Sequence, residues 1–248
     1  MAASQLKIAS IKHRSAIQGL SRMPPATFNG ERFVRGLFGL VAENWLGCIG
    51  ALTRLPSHEN WRWFDPKCDH ADHNSSPEVT LERAIVRAAR SQGREDWSNQ
   101  VPIASGIIAG GGDRRRAIDL VHRRSLDAFD FVELKVGSDN ALYAAVEILK
   151  YGFVWLLSRE YRARLGYSDK LLVEASDVRL SVLAPHTYYS GLALDWFEAG
   201  LSQGVAALGA ERQKVRLSFA FEAFPKSFVW PDTDLMAALS AIDDRTRV

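Results

Sequence analysis

Polar and apolar positions alternate along residues 129–136 in the way that is typical of a β-strand. One face of this predicted strand carries Phe131, Glu133 and Lys135. An apolar face needs a core to pack against, whereas a buried acid or lysine is costly unless it has a partner. The opposite face carries only apolar side chains: Val132, Leu134 and Val136.

Apolar residues that recur every three or four positions predict helices on both sides of this strand. The residues Ser75, Ser76, Pro77 and Glu78 form a typical helix start, because they combine serine caps, a proline in the first turn and an acid. The predicted helices cover residues 31–53, 77–90, 140–164, 188–208 and 234–242.

Runs rich in β-branched and aromatic residues predict the strands, which cover residues 101–109, 116–121, 129–136, 171–174, 178–184 and 215–224. Residues 92–100 are expected to form a loop. From residue 75 onward the order is helix, three strands, long helix, strand, helix, strand, and this predicts an α/β fold with a mixed central sheet flanked by helices. Residues 1–74 are expected to form an N-terminal arm and helical extension with a polar loop, and residues 75–248 the α/β core.

Composition places the chain among soluble globular proteins, with 47% hydrophobic and 24% charged residues. A net charge of +2 permits nucleic acid as a partner without requiring it. Two cysteines are too few for a disulfide framework. Residues 1–22 lack the apolar run of a signal peptide, and charged residues interrupt 33–55, so we expect no membrane span and a cytoplasmic location.

The polar segment 58–76 contains a partial zinc-ligand pattern. Cys68, His70 and His73, with Cys48 or His58 as a fourth ligand, could be drawn as a zinc site, but their spacing matches no common paired-ligand motif. A solvated loop is the favoured interpretation.

A second group of polar residues falls on regular elements of the predicted core. Glu82 lies on the helix before the three strands, Asp119 on the second strand, and Glu133 with Lys135 on the third. Carboxylates that converge beside one lysine suit a hard divalent cation such as Mg²⁺, which binds oxygen ligands and keeps part of its water shell.

These residues resemble the PD-(D/E)xK, or restriction-endonuclease-like, nucleases over residues 75–225. The resemblance rests on Asp119 in its strand, on Glu133-Leu134-Lys135 and on Glu82, and the helix 140–164 falls where the family has a crossover. Ile118 stands where the family has a proline. Another acid-x-lysine, Asp65-Pro66-Lys67, lies in a polar loop and lacks this context.

The resemblance implies a restriction-endonuclease-like fold and metal-dependent hydrolysis of phosphodiesters, with DNA as the expected substrate. Asp119, Glu133 and the Leu134 carbonyl would hold Mg²⁺ or Mn²⁺, Lys135 would orient the attacking water, and Glu82 would serve a second metal. A homodimer would match the two strands of a duplex. The arginines expected to contact backbone phosphates are Arg114, Arg115, Arg116, Arg123 and Arg124.

Three alternatives stay open. The arginines could form a solvated basic turn, because charge runs usually face water. The chain could be a non-catalytic member of the same fold that binds nucleic acid or a protein. It could also be an unrelated α/β protein in which Glu133 and Lys135 only pair with each other.

Overall fold

The computed structural model describes residues 28–50, 56–63, 66–68, 76–104, 116–137 and 140–248. Several predicted features lie outside these residues. They are the arm 1–27, the zinc candidates His70 and His73, the connection 105–115, and two of the predicted phosphate ligands, Arg114 and Arg115.

The described residues form helices and strands in the following order. The helices are α1 (Gly30–Gly50), α2 (Pro77–Ser91), α3 (Ala141–Glu160), α4 (Arg162–Leu165), α5 (Leu171–Glu174), α6 (Asp195–Gln213) and α7 (Leu235–Asp243). The strands are β1 (Trp97–Pro102), β2 (Ala117–Arg123), β3 (Ala128–Leu134), β4 (Asp177–Ala184), β5 (Arg216–Ala223) and β6 (Thr246–Arg247).

These strands form one six-stranded mixed sheet in chain order. The pairs β1–β2, β2–β3 and β5–β6 are antiparallel, whereas the pairs β3–β4 and β4–β5 are parallel. The parallel strands are linked through α3 and α6, because parallel neighbours require a crossover connection. The predicted α/β class, with a mixed central sheet flanked by helices, is confirmed.

Helices cover both faces of the sheet and create two hydrophobic cores. The alternation in β3 divides its side chains between them, as predicted: Phe131 belongs to one core, and Val132 and Leu134 belong to the other. The larger core lies under α1, α3 and α6, and the smaller lies under α2 and α7. The face that carries Glu133 and Lys135 is therefore turned toward α3.

The described part of the N-terminal extension packs into the larger core. α1 lies against α6 and α3, and Trp61 and Trp63 from the following segment are buried in the same cluster as Phe129. A Cβ on Gly30 would overlap the Gly200 carbonyl, so glycine permits the close approach of α1 to α6. In this extension α1 therefore packs on helices, whereas Trp61 and Trp63 contact the sheet through Phe131 and Phe129.

Two strand predictions are wrong, the first in its boundary and the second in its type of element. β1 begins at Trp97 inside the predicted loop 92–100, because its buried Asn99 is paired with the main chain of a preceding segment. The Asn99 side chain accepts from the Lys67 main-chain N–H at 2.8 Å and donates to the Lys67 carbonyl at 3.0 Å. The predicted strand 171–174 is instead the helical turn α5, whose Leu172 carbonyl accepts from the Trp155 indole.

The predicted helix 188–208 is displaced toward the C-terminus. A 3₁₀ turn covers His186–Tyr189, and α6 begins only at Asp195. Gly191, with a φ of +74°, lies between them in the left-handed region, where a helix cannot continue.

Among the described helices, α3 is long and apolar enough to cross a membrane by length and composition alone. Its 18-residue apolar window is 83% buried inside the protein, as in the core helix of a soluble protein.

Candidate functional site

The register of β2 and β3 brings the two predicted acids together. Leu120 pairs with Val132 and Val121 with Phe131, and the same antiparallel register places Asp119 opposite Glu133. Side chains that are directly opposed in such a pair have Cβ atoms about 5 Å apart. Asp119 Oδ2 also accepts a 2.9 Å hydrogen bond from the Leu134 N–H, which fixes its carboxylate at the end of β3.

Lys135 follows β3 directly and points into the same region. Its Nζ lies 2.8 Å from Glu133 Oε1 and 3.3 Å from Oε2 of Glu147, a residue of α3. Its main-chain N–H donates to the Leu183 carbonyl, so β4 holds its backbone. Glu133 and Lys135 are only 4% and 7% exposed, and their pairing is therefore the partnership that burial requires.

A cavity of about 350 Å³ opens between the ends of β2 and β3, the start of α2 and the first turns of α3. Asp119, Glu133, Leu134 and Lys135 all line it, so the structure brings these four predicted residues to one place. The remaining lining residues are Ser76, Glu78, Val79, Gln100, Ala117, Tyr143, Glu147 and Tyr151.

Glu82 comes from α2, behind the cavity wall, and is buried. Its Oε2 accepts a 2.8 Å hydrogen bond from the amide of Gln100. Its Oε1 is buried and has no hydrogen-bond partner among the described residues. Glu82 does not line the cavity, but its carboxylate is close enough to Asp119 for the two charges to repel each other.

Gln100 occupies an unusual backbone position beside this group. The β1–β2 ladder pairs Asn99 and Val101 but skips Gln100, which by the same register stands opposite Asp119. Its φ of +47° lies in the left-handed region, which non-glycine residues rarely adopt. Arg62 donates to its main-chain carbonyl at 3.0 Å and so holds this conformation.

Burial and mutual repulsion dominate the electrostatics of these acids. Burial, with the charge of Asp119, raises the pKa of Glu82 to about 9. Burial likewise raises the pKa of Asp119 to about 6, although the Leu134 N–H and Lys135 act in the opposite direction. Burial and the charge of Asp119 raise the pKa of Glu133 well above its ordinary value. Because their pKa values are raised, these acids are not all ionised at neutral pH in the absence of a cation.

This donor set fits a hard divalent cation. No three histidine, cysteine or acidic side chains in the described part of the chain form a preformed metal-binding group. Mg²⁺ needs only one or two protein carboxylates, because water and substrate phosphate complete its shell. Asp119 and Glu133 supply these carboxylates. A strand residue turns its N–H and C=O to the same neighbour, so the Leu134 carbonyl faces the Asp119 side as well.

The three predicted phosphate-binding arginines that the structure describes do not form one group. Arg116 is exposed at the start of β2, next to Ala117 of the cavity. Arg123 lies four positions further along β2 than Asp119, or about 13 Å away at the rise of a strand. Arg124 forms ion pairs with buried Asp130 at 2.6 Å and with Asp177 at 2.8 Å.

Asp130 is the centre of a second charged cluster that the sequence did not reveal. Its carboxylate is fully buried and also accepts from Arg179 at 2.7 Å and from Arg245 at 2.9 Å. Burial alone would raise the pKa of Asp130, but hydrogen bonds from His122 and Arg179 and the charge of Arg124 lower it to about 2. These cations neutralise a buried acid at the opposite end of β3 from the cavity.

Three cavity residues on α3 also went unassigned in the sequence. Tyr143, Glu147 and Tyr151 recur every four residues, and this spacing places them on one helix face. That face was recognisable as the more polar side of α3, but its orientation toward Lys135 depends on how the helix packs. Burial, together with the charges of Glu133 and Glu147, raises the pKa of Tyr151.

Comparisons with known proteins do not add to this description. No protein-family model, curated protein or solved structure matches the chain.

Proposed function

We propose that the chain is a metal-dependent phosphodiesterase, a nuclease that hydrolyses DNA, with a restriction-endonuclease-like fold. One observation carries the proposal: Asp119, Glu133 and Lys135 line one cavity, where Asp119 accepts from the Leu134 N–H and Lys135 lies 2.8 Å from Glu133. Two acids and a lysine at the ends of adjacent strands form the arrangement that the PD-(D/E)xK motif requires.

The order of elements around the cavity supports the same family. α2 is followed by the meander β1-β2-β3, by the crossover helix α3 and by the parallel strand β4. The resemblance to the PD-(D/E)xK nucleases implies this order of a core helix, the motif strands and a crossover helix. Glu133-Leu134-Lys135 lies at the end of a central strand, whereas Lys67 of the other acid-x-lysine is exposed outside the sheet.

Asp119, Glu133 and the Leu134 carbonyl would hold the cation. When bound, Mg²⁺ or Mn²⁺ would lower the pKa of a water molecule and offset negative charge on the phosphate. The protein contributes preorganisation, because the Leu134 N–H fixes the Asp119 carboxylate before any ligand arrives.

Lys135 would orient the attacking water or donate a hydrogen bond to a phosphate oxygen. Burial acts to lower its pKa, but the charges of Glu133, Glu147 and Asp119 outweigh burial and raise it, so the ammonium stays charged at neutral pH. A fixed positive charge beside the reacting phosphate stabilises the charge that develops in the transition state.

Nucleic acid would approach from the side of the exposed Arg116. Contacts of this kind with backbone phosphates are independent of sequence and weaken with salt. Arg124 is engaged with two acids and has a structural role in this account.

The test is cleavage of supercoiled and linear DNA in Mg²⁺, in Mn²⁺ and in EDTA. Asp119→Ala and Lys135→Ala should each lower cleavage at least about 100-fold, the usual effect of removing a key catalytic group. Lys67→Ala is the matched control, because it removes the lysine of the other acid-x-lysine and should cleave like wild type. Equal residual cleavage in all four proteins would refute the nuclease, and DNA binding without any cleavage would support the non-catalytic alternative.

A further inference from the structure

Lys135 connects two acids that belong to different elements. Glu133 is in β3 and lies 2.8 Å from Lys135 Nζ, whereas Glu147 is in α3 and lies 3.3 Å away. The lysine side chain is only 9% exposed and Glu133 only 5%, while Glu147 is 21% exposed at the cavity wall. The ammonium is thus held between the sheet and the helix.

This arrangement matters because Glu133 has two competing roles. It pairs with Lys135, and in the proposed enzyme it also binds the cation. A carboxylate that turns toward a cation gives up part of its interaction with the lysine. A buried ammonium left without a counter-charge is strongly unfavourable, so the lysine needs a second acid.

We propose that Glu147 is a positioning residue that holds Lys135 in the cavity when Glu133 becomes a metal ligand. The inference rests on the proposed function and adds a residue to it. Glu147 acts through Lys135, and it does not itself hold the cation.

The position of Glu147 suits this role. It lies in the second turn of α3, whose start is capped by the Asn140 side chain through the Tyr143 N–H at 3.0 Å. Its neighbours Val146 and Ile148 are buried in the larger core, so packing holds this turn of the helix in place whichever partner the Glu133 side chain has. The Glu147 carboxylate therefore stays in place when Glu133 changes partner.

A double-mutant cycle on Mn²⁺ binding tests this role, because it separates an effect through Lys135 from direct ligation. Mn²⁺ affinity is measured by calorimetry on the full-length metal-free chain for wild type, Glu147→Gln, Lys135→Met and the double variant. Glu147→Gln should weaken binding about tenfold, since contacting residues couple by roughly this factor. In the Lys135→Met background, Glu147→Gln should weaken Mn²⁺ binding less than about threefold.

A second variant keeps the test informative if Lys135→Met fails to fold. Glu147→Asp retains the negative charge but withdraws it by one methylene, so that it no longer reaches Lys135. The inference predicts that Glu147→Asp weakens Mn²⁺ binding as Glu147→Gln does. Binding equal to wild type in Glu147→Asp would overturn it, because charge alone would then be sufficient.

The outcomes separate the inference from the proposed function. If Glu147→Gln lowers Mn²⁺ affinity equally with and without Lys135, Glu147 binds the cation directly. If Glu147→Gln keeps wild-type Mn²⁺ affinity, Glu147 has only a structural role. Either result overturns the inference about Glu147 but does not contradict the proposed nuclease activity. Failure of the wild-type protein both to bind Mn²⁺ and to cleave DNA would overturn both.

Discussion

The Asp119 carboxylate accepts a 2.9 Å hydrogen bond from the main-chain N–H of Leu134. One side chain of β2 thereby satisfies a backbone donor at the end of β3 and comes to lie opposite Glu133. The same oxygen atoms thus serve the fold and, in the proposed enzyme, the cation.

These two roles of Asp119 can be separated by substitution. Asp119→Asn keeps an oxygen acceptor for the Leu134 N–H but removes the charge that repels Glu82 and Glu133. We expect it to be at least as stable as wild type in urea without metal, yet at least about 100-fold less active. Asp119→Ala should lose about 1–3 kcal/mol of stability, because a buried donor is left unpaired. A stability loss in Asp119→Asn as large as that in Asp119→Ala would argue against this division.

Arg116 and Arg124, which flank β2 at its two ends, should behave differently. Arg124→Ala removes a partner of buried Asp130 and should lower the free energy of unfolding by about 1–3 kcal/mol. Arg116→Ala, at an exposed position, should leave stability unchanged but weaken DNA binding and reduce its salt dependence by about one charge. Chemical unfolding and DNA titrations at several salt concentrations measure both. Similar stability losses in the two variants would contradict a structural role for Arg124 and a DNA-binding role for Arg116.

Acid stability should depend on Asp130. Its pKa is about 2 in the folded protein and about 3.9 in an unfolded chain. Because the folded-state pKa is the lower one, the stabilisation is complete above about pH 4 and is lost as the pH falls toward 2. The loss should be on the order of 2–3 kcal/mol.

Unfolding by urea between pH 5 and 2 measures this dependence. Asp130→Asn should be less stable at pH 5, because it leaves Glu222 as the remaining buried counter-charge of both Arg179 and Arg245. Its stability should also vary less with pH in this window. An unchanged pH dependence in Asp130→Asn would show that other acids cause the acid unfolding.

Gln100 allows backbone strain to be measured apart from side-chain contacts. Gln100→Gly and Gln100→Ala both remove the amide that donates to Glu82, but only glycine adopts a φ of +47° without cost. Gln100→Gly should therefore be more stable than Gln100→Ala by about 1–2 kcal/mol. Equal stabilities in urea would mean that the strand relaxes to an ordinary conformation once glutamine is removed.

The features that were predictable from sequence are those set by local pattern. Alternation in 129–136 places Glu133 and Lys135 on one face and Val132 with Leu134 on the other, as the two cores confirm. The order of strands and helices was equally readable, because each long element carries its own periodicity.

The features that were missed depend on contacts between distant residues. The polar start of β1 becomes strand because Asn99 is paired with the main chain of Lys67, 32 positions away. The run 171–174 is too short for periodicity to distinguish a strand from a buried helical turn. Glu147 meets Lys135 only after α3 has packed on the sheet, so no local spacing indicates this pair. Arg124 meets Asp130 within the β2–β3 hairpin, through a register that the spacing of apolar residues does not define.

The central claim is that Asp119 and Glu133 together hold a divalent cation beside Lys135. A crystal structure of the protein soaked in Mn²⁺, with anomalous data collected near the manganese absorption edge, tests it most directly. The account predicts one peak about 2.1 Å from carboxylate oxygens of Asp119 and Glu133 and from the Leu134 carbonyl, with Lys135 still bound to Glu147. A manganese peak elsewhere, or none in the cavity with Lys135 still bridging Glu133 and Glu147, would contradict it.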